Sequence, residues 1–181
     1  PAEGGSEGPQ LTAREQEILL HGRGALTWEG VGKAAAFITP DDPAVSEFAR
    51  STLVAFEEQI KGLGKPCRNL LRALVLFEAL KAHGVRYIPD ANTPYTKVST
   101  DRSVVDHISY PAQVLQGKAG DCDDLTVLFC ALLENAGVAT ALVDAPGHIF
   151  LLFDSGASRQ EVYKLPVEEK AYVIRGDRVW V

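Results

Sequence analysis

The sequence predicts a fold that contains both helices and strands, and two neighbouring stretches carry that prediction. Between Leu125 and Ala136 the apolar residues recur at intervals of three and four, which is typical of a helix with one buried stripe. Two short apolar runs follow at residues 138–143 and 148–153, separated by a turn of sequence Asp-Ala-Pro-Gly, and both are typical of buried strands. A helix followed by strands that fold back is therefore expected at the centre of the domain.

Composition predicts a globular domain without a nucleic-acid partner. The chain has 181 residues, of which 46% are hydrophobic and 23% are charged, so a single domain can bury a sizeable core. A net charge of −6 and the lack of a Lys/Arg cluster argue against nucleic-acid binding, which needs a basic surface. No run of 18 apolar residues occurs, so no membrane span is predicted.

The beginning of the chain predicts a longer parent protein. The first residue is Pro1 and the sequence contains no methionine, which suggests a processed piece of a protein with further domains. Residues 1–10 are rich in Gly, Glu and Ser and are expected to form a disordered tail or linker. Residues 11–181 are expected to form one domain.

Three helices are predicted before the central one, and all are interpreted as structural. A capping box predicts a first helix from Thr12. Asp42, followed by proline, opens a longer helix that is expected to run to Gly62. Pro66 opens a third helix that ends at Gly84.

The segment between the third helix and the central helix is predicted to contain little regular structure. Residues 85–88 form a short predicted strand, and residues 89–102 form a polar loop. His107, in the polar segment that follows, is interpreted as a surface residue. Of the three cysteines, Cys67 and Cys130 are interpreted as packed thiols, because two cysteines eight residues apart on one helix lie about 12 Å from each other, beyond disulfide reach.

Cys122 is the candidate nucleophile because of where the chain brings His148. Asp121 is placed to cap the helix and Asp124 to complete a weak capping box, so that Cys122 is the first helical residue. A helix of about 14 residues carries the chain roughly 21 Å away, and a returning strand of about seven residues recovers about 23 Å. His148 is therefore expected to lie at the same height along the helix axis as Cys122. Asp123 and Asp124 oppose ionisation of the thiol, so an ion pair with protonated His148 is expected to dominate.

Three segments together resemble a known superfamily. They are Gly120-Asp-Cys-Asp-Asp-Leu, Ala131-Leu-Leu-Glu-Asn-Ala-Gly-Val and Pro146-Gly-His-Ile-Phe. From Tyr87 to Asp154 the chain is similar to the transglutaminase-like superfamily, in particular to bacterial transglutaminase-like cysteine peptidases. The resemblance implies a papain-like α+β fold, with N-terminal helices and an antiparallel sheet packed on the cysteine-bearing helix. It also implies a catalytic triad with Cys122 as nucleophile and His148 as general base and then acid, in an extracytoplasmic, periplasmic bacterial setting.

The resemblance implies that the third triad member comes from the strand after the histidine strand. Asp154 lies six residues along the strand from His148, about 20 Å away, and cannot orient the imidazole. Asp177 is a candidate if the first of the two final strands returns beside the histidine strand. If the last strand returns instead, as the family pattern favours, the partner lies past Val181 and the domain is a fragment truncated at its C-terminal end.

Two further roles are assigned by position. Gln116 stands six residues before Cys122, the spacing at which papain-like enzymes place an oxyanion-hole glutamine, although the Cys122 backbone N–H is the more general donor. Asp121, Asp123 and Asp124 cluster the oxygen ligands that calcium prefers, and some members of the resembled superfamily depend on calcium. Calcium is thus a candidate although thiol chemistry requires no cofactor. Zinc is disfavoured because closely spaced ligand pairs such as CxxC are absent.

Thiol-dependent acyl transfer is the first functional hypothesis. Cys122 would attack a peptide or side-chain amide to form a thioester, and His148 would protonate the leaving amine. Peptide hydrolysis is favoured over transglutaminase-type transfer to an amine. The alternative is a non-catalytic papain-like module that binds a peptide or cell-wall component within a larger protein. A purely structural role, with a packed thiol and a histidine at a strand start, is favoured by composition alone but not by the fold-back geometry and the matching segments together.

Overall fold

The computed structural model describes residues 20–91, 95–98 and 100–181. The tail predicted at residues 1–10 lies outside these residues, and so does the helix predicted from Thr12 except its expected end near His21, which is not helical. The α-helices are α1 (Pro43–Val54), α2 (Glu57–Gly62), α3 (Lys65–His83), α4 (Tyr95–Val98), α5 (Pro111–Gly117) and α6 (Cys122–Asn135). The strands are β1 (Ala25–Thr27), β2 (Arg86–Tyr87), β3 (Val105–His107), β4 (Ala119–Gly120), β5 (Thr140–Ala145), β6 (His148–Ser158), β7 (Val173–Arg175) and β8 (Arg178–Trp180). Short 3-10 helices cover Val31–Phe37, Arg159–Lys164 and Glu169–Ala171.

This order of elements confirms a mixed helix-and-sheet fold of the α+β class, with most helices before the main sheet. The main sheet is antiparallel and has the strand order β5-β6-β8-β7. β5 and β6 form a hairpin in which Ala145 lies opposite His148, and β8 pairs with the other half of β6, where Trp180 lies opposite Asp154. A register shift near Gly156, which has a φ of 84°, separates the two halves of β6.

The helix α6 lies at the centre of the core, as its apolar pattern predicts. Burial extends beyond the single stripe that the sequence indicates. Its fully covered residues are Val127, Leu128, Cys130, Ala131, Leu132 and Leu133. The helix is covered on so many sides because α1, α3 and α5 pack against it together with β5 and β6. Surroundings of this kind are typical of a helix that is buried in the middle of a domain.

The second predicted helix is interrupted, so the expectation of one helix from Asp42 to Gly62 is wrong. α1 ends at Val54, and α2 begins three residues later. Between them, Phe56 has a φ of −117° and remains 42% exposed, whereas Ile60 is buried. The residues between the two helices therefore do not continue the helical conformation, and α2 buries Ile60 as a separate short helix.

Several short elements were not predicted because they are held by contacts distant in sequence. β1 pairs with β3, and neither strand was predicted, whereas β2, the core of the strand predicted at residues 85–88, pairs in parallel with β4. α5 is too short for a helical period to stand out. By contrast, α3 ends where predicted, at Gly84 with a φ of 94°. Within the described ranges no helix combines the length and apolar character needed to cross a bilayer.

Candidate active site

Cys122 is the first residue of α6, and a small parallel strand pair holds the segment before it. In this pair Tyr87 of β2 lies opposite Gly120 of β4, and the Ile88 N–H donates to the Gly120 carbonyl at 2.9 Å. Glycine is needed here because a Cβ at Gly120 would lie 2.6 Å from the Cβ of Asp124. The thiol is therefore anchored from both sides, by a strand pair before it and by a long helix after it.

Asp121 occupies the N-cap position of α6, but its side chain does not cap the helix, contrary to expectation. The carboxyl of Asp121 instead shares a hydrogen bond with the side chain of Asp123. Asp124 does make one contact of a capping box, because its carboxylate accepts the backbone N–H of Asp121. Its Oδ1 atom also accepts the Ser109 N–H at 2.6 Å. The start of the helix is thus tied to the segment that precedes α5.

His148 is the first residue of β6, directly after a two-residue turn. In this turn Gly147 has a φ of 75°, a conformation that favours glycine, and it follows Pro146. The imidazole is exposed and stacks on the ring of Phe150, with centroids 6.1 Å apart. The next residue, Ile149, is buried. β6 therefore enters the core at Ile149, one residue after His148, whose imidazole lies at the surface.

Hydrogen bonds join α6 to β6 beside the two candidates. The Thr126 hydroxyl donates to the Ile149 carbonyl at 3.3 Å, and the Ile149 N–H donates to the Cys122 thiol. Cys122 and His148 consequently line one cleft of about 490 Å³. Its other lining residues are Phe77, Leu80, Lys81, Val85, Tyr87, Leu125, Thr126, Phe129, Ile149, Phe150 and Leu151. The structure therefore brings Cys122 and His148 together, as expected from the lengths of the helix and of the returning strand.

Burial dominates the ionisation of Cys122, which is only 6% exposed. Burial raises the pKa of Cys122 to about 12. The backbone N–H groups of Ile149 and Asp123 lower that pKa in part, whereas the carboxyls of Asp123 and Asp121 raise it. The free-energy cost of removing a thiolate from water exceeds the stabilisation that these two N–H dipoles provide. The thiol is therefore protonated at neutral pH, and the expected ion pair with His148 is not the resting arrangement.

Three buried aspartates surround the start of α6. Asp106, Asp121 and Asp123 are 3%, 7% and 2% exposed. Asp106 accepts the indole N–H of Trp28 at 2.7 Å. Burial, followed by the hydrogen bond and the charge of Asp121, raises the pKa of Asp123 far above its ordinary range. Asp123 is therefore protonated at neutral pH and donates its proton to the hydrogen bond with Asp121.

The ligand atoms of Asp121, Cys122 and Asp123 lie within 4.8 Å of one another, close enough to hold a metal ion. Calcium takes about six to eight oxygen ligands, whereas this group offers two carboxyls and one soft thiol. One oxygen of Asp123 already accepts the Asp124 N–H at 2.9 Å, and the Asp124 carboxylate accepts two backbone N–H groups. The donor set therefore does not fit calcium.

Asp177 lies at the wrong end of β6 to orient His148, so its candidate role is wrong. The strand that pairs with β6 is β8, the second of the two arrangements considered from the sequence. Arg178, the neighbour of Asp177, lies opposite Ser158, ten residues along β6 from the imidazole. An extended strand spans roughly 30 Å over that length. The Arg159 N–H, which donates to the Asp177 carbonyl at 3.0 Å, holds the turn at this far end.

β8 does not reach the imidazole either. Val181 lies beside Phe153, and the two residues exchange backbone hydrogen bonds of 2.8 and 3.0 Å. Phe153 is five residues along β6 from His148. Asp154, which sequence reasoning excluded as a partner, forms an ion pair with Arg178 in this half of the sheet. Neither aspartate of this region orients the histidine.

Gln116 does not take part in the site. It is exposed on α5, whereas Val114 and Leu115 on the same helix are buried, and it does not line the cleft. The chain changes direction at Lys118, whose φ is 56°, between Gln116 and Cys122. A spacing of six residues therefore does not bring the amide to the thiol, and the oxyanion role expected for Gln116 lacks geometric support.

Tyr87 is the main site residue that sequence reasoning missed. It lines the cleft with Cys122, and partial burial, followed by electrostatic interactions with Cys122, Asp121 and Asp123, raises the pKa of Tyr87. Its hydroxyl therefore remains a proton donor close to the thiol. The pairing of Tyr87 with Gly120 spans 33 residues, so no local pattern reveals it. The cleft residues of α3 were missed for the same reason.

Comparisons of the chain with protein-family models, with curated proteins and with solved structures found no match. The site is therefore characterised by its own geometry. A protonated thiol at a helix N-terminus shares one cleft with an exposed imidazole and a phenol, and a proton-sharing acid pair lies beside the thiol.

Proposed function

We propose that this chain is a transglutaminase-like domain of papain-like fold that catalyses thiol-dependent acyl transfer on peptide or side-chain amides, with hydrolysis as the favoured outcome. The observation that carries the proposal is the single cleft lined by Cys122, at the N-terminus of α6, and His148, at the start of β6. The sequence resemblance around both residues supports the proposal independently. An antiparallel sheet that contacts the cysteine-bearing helix is also compatible with a papain-like arrangement.

Because the Cys122 thiol is protonated at rest, its attack on an amide requires a base. His148 takes the proton from Sγ while the sulfur bonds to the carbonyl carbon of the substrate. The tetrahedral intermediate then breaks its C–N bond, and His148 gives the same proton to the leaving amine. Water attacks the resulting thioester, passes a proton to His148, and the C–S bond breaks as that proton returns to sulfur. An amine in place of water would give transfer instead of hydrolysis.

Two donors are available for the oxyanion that forms in the first step. The Cys122 backbone N–H has no acceptor within the helix, because the first N–H groups of any α-helix have none. The Tyr87 hydroxyl is the second donor, since it lines the same cleft and stays protonated. Removal of one oxyanion donor typically costs about 10²–10³ in rate, so both groups are significant for the proposed chemistry.

The acid pair formed by Asp121 and Asp123 reduces the electrostatic repulsion that the sequence predicts for negative charge on Cys122. Two ionised aspartates next to Cys122 would disfavour negative charge on sulfur. Asp121 and Asp123 share a hydrogen bond, and the pKa of Asp123 is raised, so one of these charges is neutralised. This leaves less repulsion to overcome as the Cys122 proton moves to His148.

The proposal is tested by trapping the acyl-enzyme. The protein is mixed with the p-nitrophenyl ester of an N-acetylated amino acid, release of p-nitrophenol is followed, and the adduct is located by mass spectrometry. We expect an adduct on Cys122 that forms at least about 100-fold more slowly in His148→Ala, because general base catalysis contributes at least that much. His107→Ala is the matched control, since His107 is also exposed but does not line the cleft. Equal acylation of the wild type and His148→Ala would reject the mechanism.

A second candidate is a non-catalytic papain-like module that binds a peptide or cell-wall component. It is favoured by the pKa of Cys122, which burial raises to about 12, and by the remoteness of Asp177 from His148. This alternative predicts ligand binding in the cleft without an adduct on Cys122. The same ester experiment separates the two candidates, and adding a labelled amine then distinguishes transfer from hydrolysis.

A further inference from the structure

The walls of the cleft beside the Cys122 thiol are mainly apolar. Eight of its thirteen lining residues carry purely hydrocarbon side chains, namely Phe77, Leu80, Val85, Leu125, Phe129, Ile149, Phe150 and Leu151. They come from α3, α6 and β6 and from the residue that follows Gly84. The polar groups Cys122, His148, Tyr87 and Thr126 are the ones that the proposed reaction uses or that join α6 to β6. The remaining surface is thus built for apolar contact.

Aromatic residues of this cleft are unusually open to water. Phe77 is 56% exposed and Phe150 is 39% exposed, although both have neighbours with which they form ring contacts. Phe77 packs edge-on against Phe129 at 6.1 Å between centroids, which holds one wall in place. Covering such surface with an apolar group stabilises a complex by roughly 25 cal/mol for each Å² removed from water. The unoccupied aromatic surface therefore favours an apolar ligand.

The charges around the cleft disfavour a cationic ligand. Among the lining residues the basic side chains are Lys81 and His148, and none carries a carboxylate. Glu78 pairs with Lys81 at 3.6 Å, but it does not line the cleft. A lysine or arginine side chain entering here would lose hydration and would meet no carboxylate in the cleft wall. Uncharged apolar groups meet no such cost.

We propose that this cleft is the subsite for the acyl portion of the substrate and that it selects a large, uncharged apolar side chain, such as that of phenylalanine or leucine. The inference rests on the proposed function, because it places the reacting carbonyl at Cys122 and His148. A volume of about 490 Å³ lies within the range of about 300–1,000 Å³ typical of small-molecule pockets, enough for such a side chain and adjoining backbone. The substrate class is thus an amide of an apolar residue.

The inference is tested by nuclear magnetic resonance titration of the ¹⁵N-labelled protein with N-acetyl-phenylalaninamide and N-acetyl-lysinamide. We expect shift changes at the cleft residues and a Kd at least about tenfold lower for the phenylalanine compound, because burying one large apolar side chain stabilises by at least that factor. Phe77→Ala should raise the Kd of the phenylalanine compound about threefold or more by removing part of the wall. Phe56→Ala is the matched control, since Phe56 is also a partly exposed phenylalanine but lies outside the cleft.

Three outcomes would overturn the inference. They are equal affinities for the two compounds, an effect of Phe56→Ala as large as that of Phe77→Ala, and the absence of shift changes at the cleft up to the solubility limit of the probe. The acylation experiment on Cys122 is independent of this titration. Acylation without apolar selectivity would reject the subsite alone, whereas selective binding without acylation would reject the proposed function and leave an apolar binding site.

Discussion

Cys122 and Cys130 lie on the same helix, eight residues apart, and their comparison separates the ionisation of a thiol from its use. Burial raises the pKa of both thiols to about 12. Cys122 is 6% exposed and lines the cleft with His148, whereas Cys130 is fully covered within the core. The pKa therefore does not distinguish the candidate nucleophile from the packed thiol. The two thiols differ in that Cys122 is reached from the cleft and has a base, His148, in the same cleft.

The groups next to the two thiols also shift the pKa values of Cys122 and Cys130 in similar ways. A side-chain hydrogen bond with Thr140 lowers the pKa of Cys130 in part, and the charge of Glu134 raises it. Cys122 has similar opposing neighbours in the Ile149 N–H and the carboxyl of Asp123. Each thiol thus has at least one hydrogen-bond donor and at least one acidic side chain nearby. What Cys130 lacks among the described residues is a cleft through which a substrate can approach.

The largest expected effect is on alkylation. In native protein at pH 9 we expect iodoacetamide to modify Cys122 at least about 100-fold faster than Cys130, because a fully covered thiol reacts only when the structure opens. Burial raises both pKa values to about 12, so neither thiol is appreciably ionised at pH 9 and the ratio chiefly reports access. Rates are measured by mass spectrometry of the modified peptides. Partly buried Cys67 serves as the internal reference, and equal rates at Cys122 and Cys130 would remove the distinction.

Tyr87→Phe sharpens the comparison by removing a group that faces the cleft beside Cys122. We expect acylation of Cys122 by an ester to slow by about 10²-fold, since an oxyanion donor is lost. Alkylation by iodoacetamide forms no oxyanion and should keep its rate. Measuring both reactions on the same variant separates loss of transition-state stabilisation from damage to the fold. A parallel fall in both rates would assign Tyr87 a structural role.

Asp123→Asn tests the acid pair that lies beside Cys122. The pKa of Asp123 is raised in the folded protein, so its stabilising contribution is complete below the unfolded value of about 3.9 and declines as pH rises toward the folded value. The wild type should therefore lose up to about 1.4 kcal/mol of unfolding free energy per pH unit from this group between about pH 5 and neutral pH. Asn cannot ionise, so the variant should show a flatter dependence.

This dependence is measured by urea unfolding at a series of pH values, with Asp101→Asn as the control. Asp101 is a fully exposed aspartate whose pKa is lowered by Ser103, so its removal should leave the contribution of the acid pair in place. If the profiles of the wild type and Asp123→Asn run parallel, Asp123 is not the protonated member of the pair.

The smallest expected effect is on stability. Cys130→Ala should lower the unfolding free energy by about 1 kcal/mol, because it leaves a small cavity in a fully packed core. Cys122→Ala should cost somewhat less than that, since its side chain packs in a buried cluster with Trp28 and Ile149 but also borders the cleft. Urea unfolding followed by circular dichroism measures both. A larger loss for Cys122→Ala would show that its thiol is mainly a packing group.

Much of the local structure could be predicted from the sequence, and the errors share one cause. The central helix, the hairpin of β5 and β6 and the end of α3 at Gly84 follow from apolar periodicity and turn residues within a few positions of each other. The pairings of β1 with β3 and of Tyr87 with Gly120 depend on residues far along the chain. Patterns within one segment carry no information on such pairings.

By itself, the sequence determined that Cys122 begins a helix and that His148 returns to it, because the lengths of a helix and of a strand are set by their rise per residue. Only the tertiary structure decided the protonation of the thiol, the position of Asp177 and the presence of Tyr87 in the cleft. Desolvation depends on every group that covers an atom, and strand order depends on which surfaces pack together. Both are properties of the assembled chain, so no single stretch of sequence contains them.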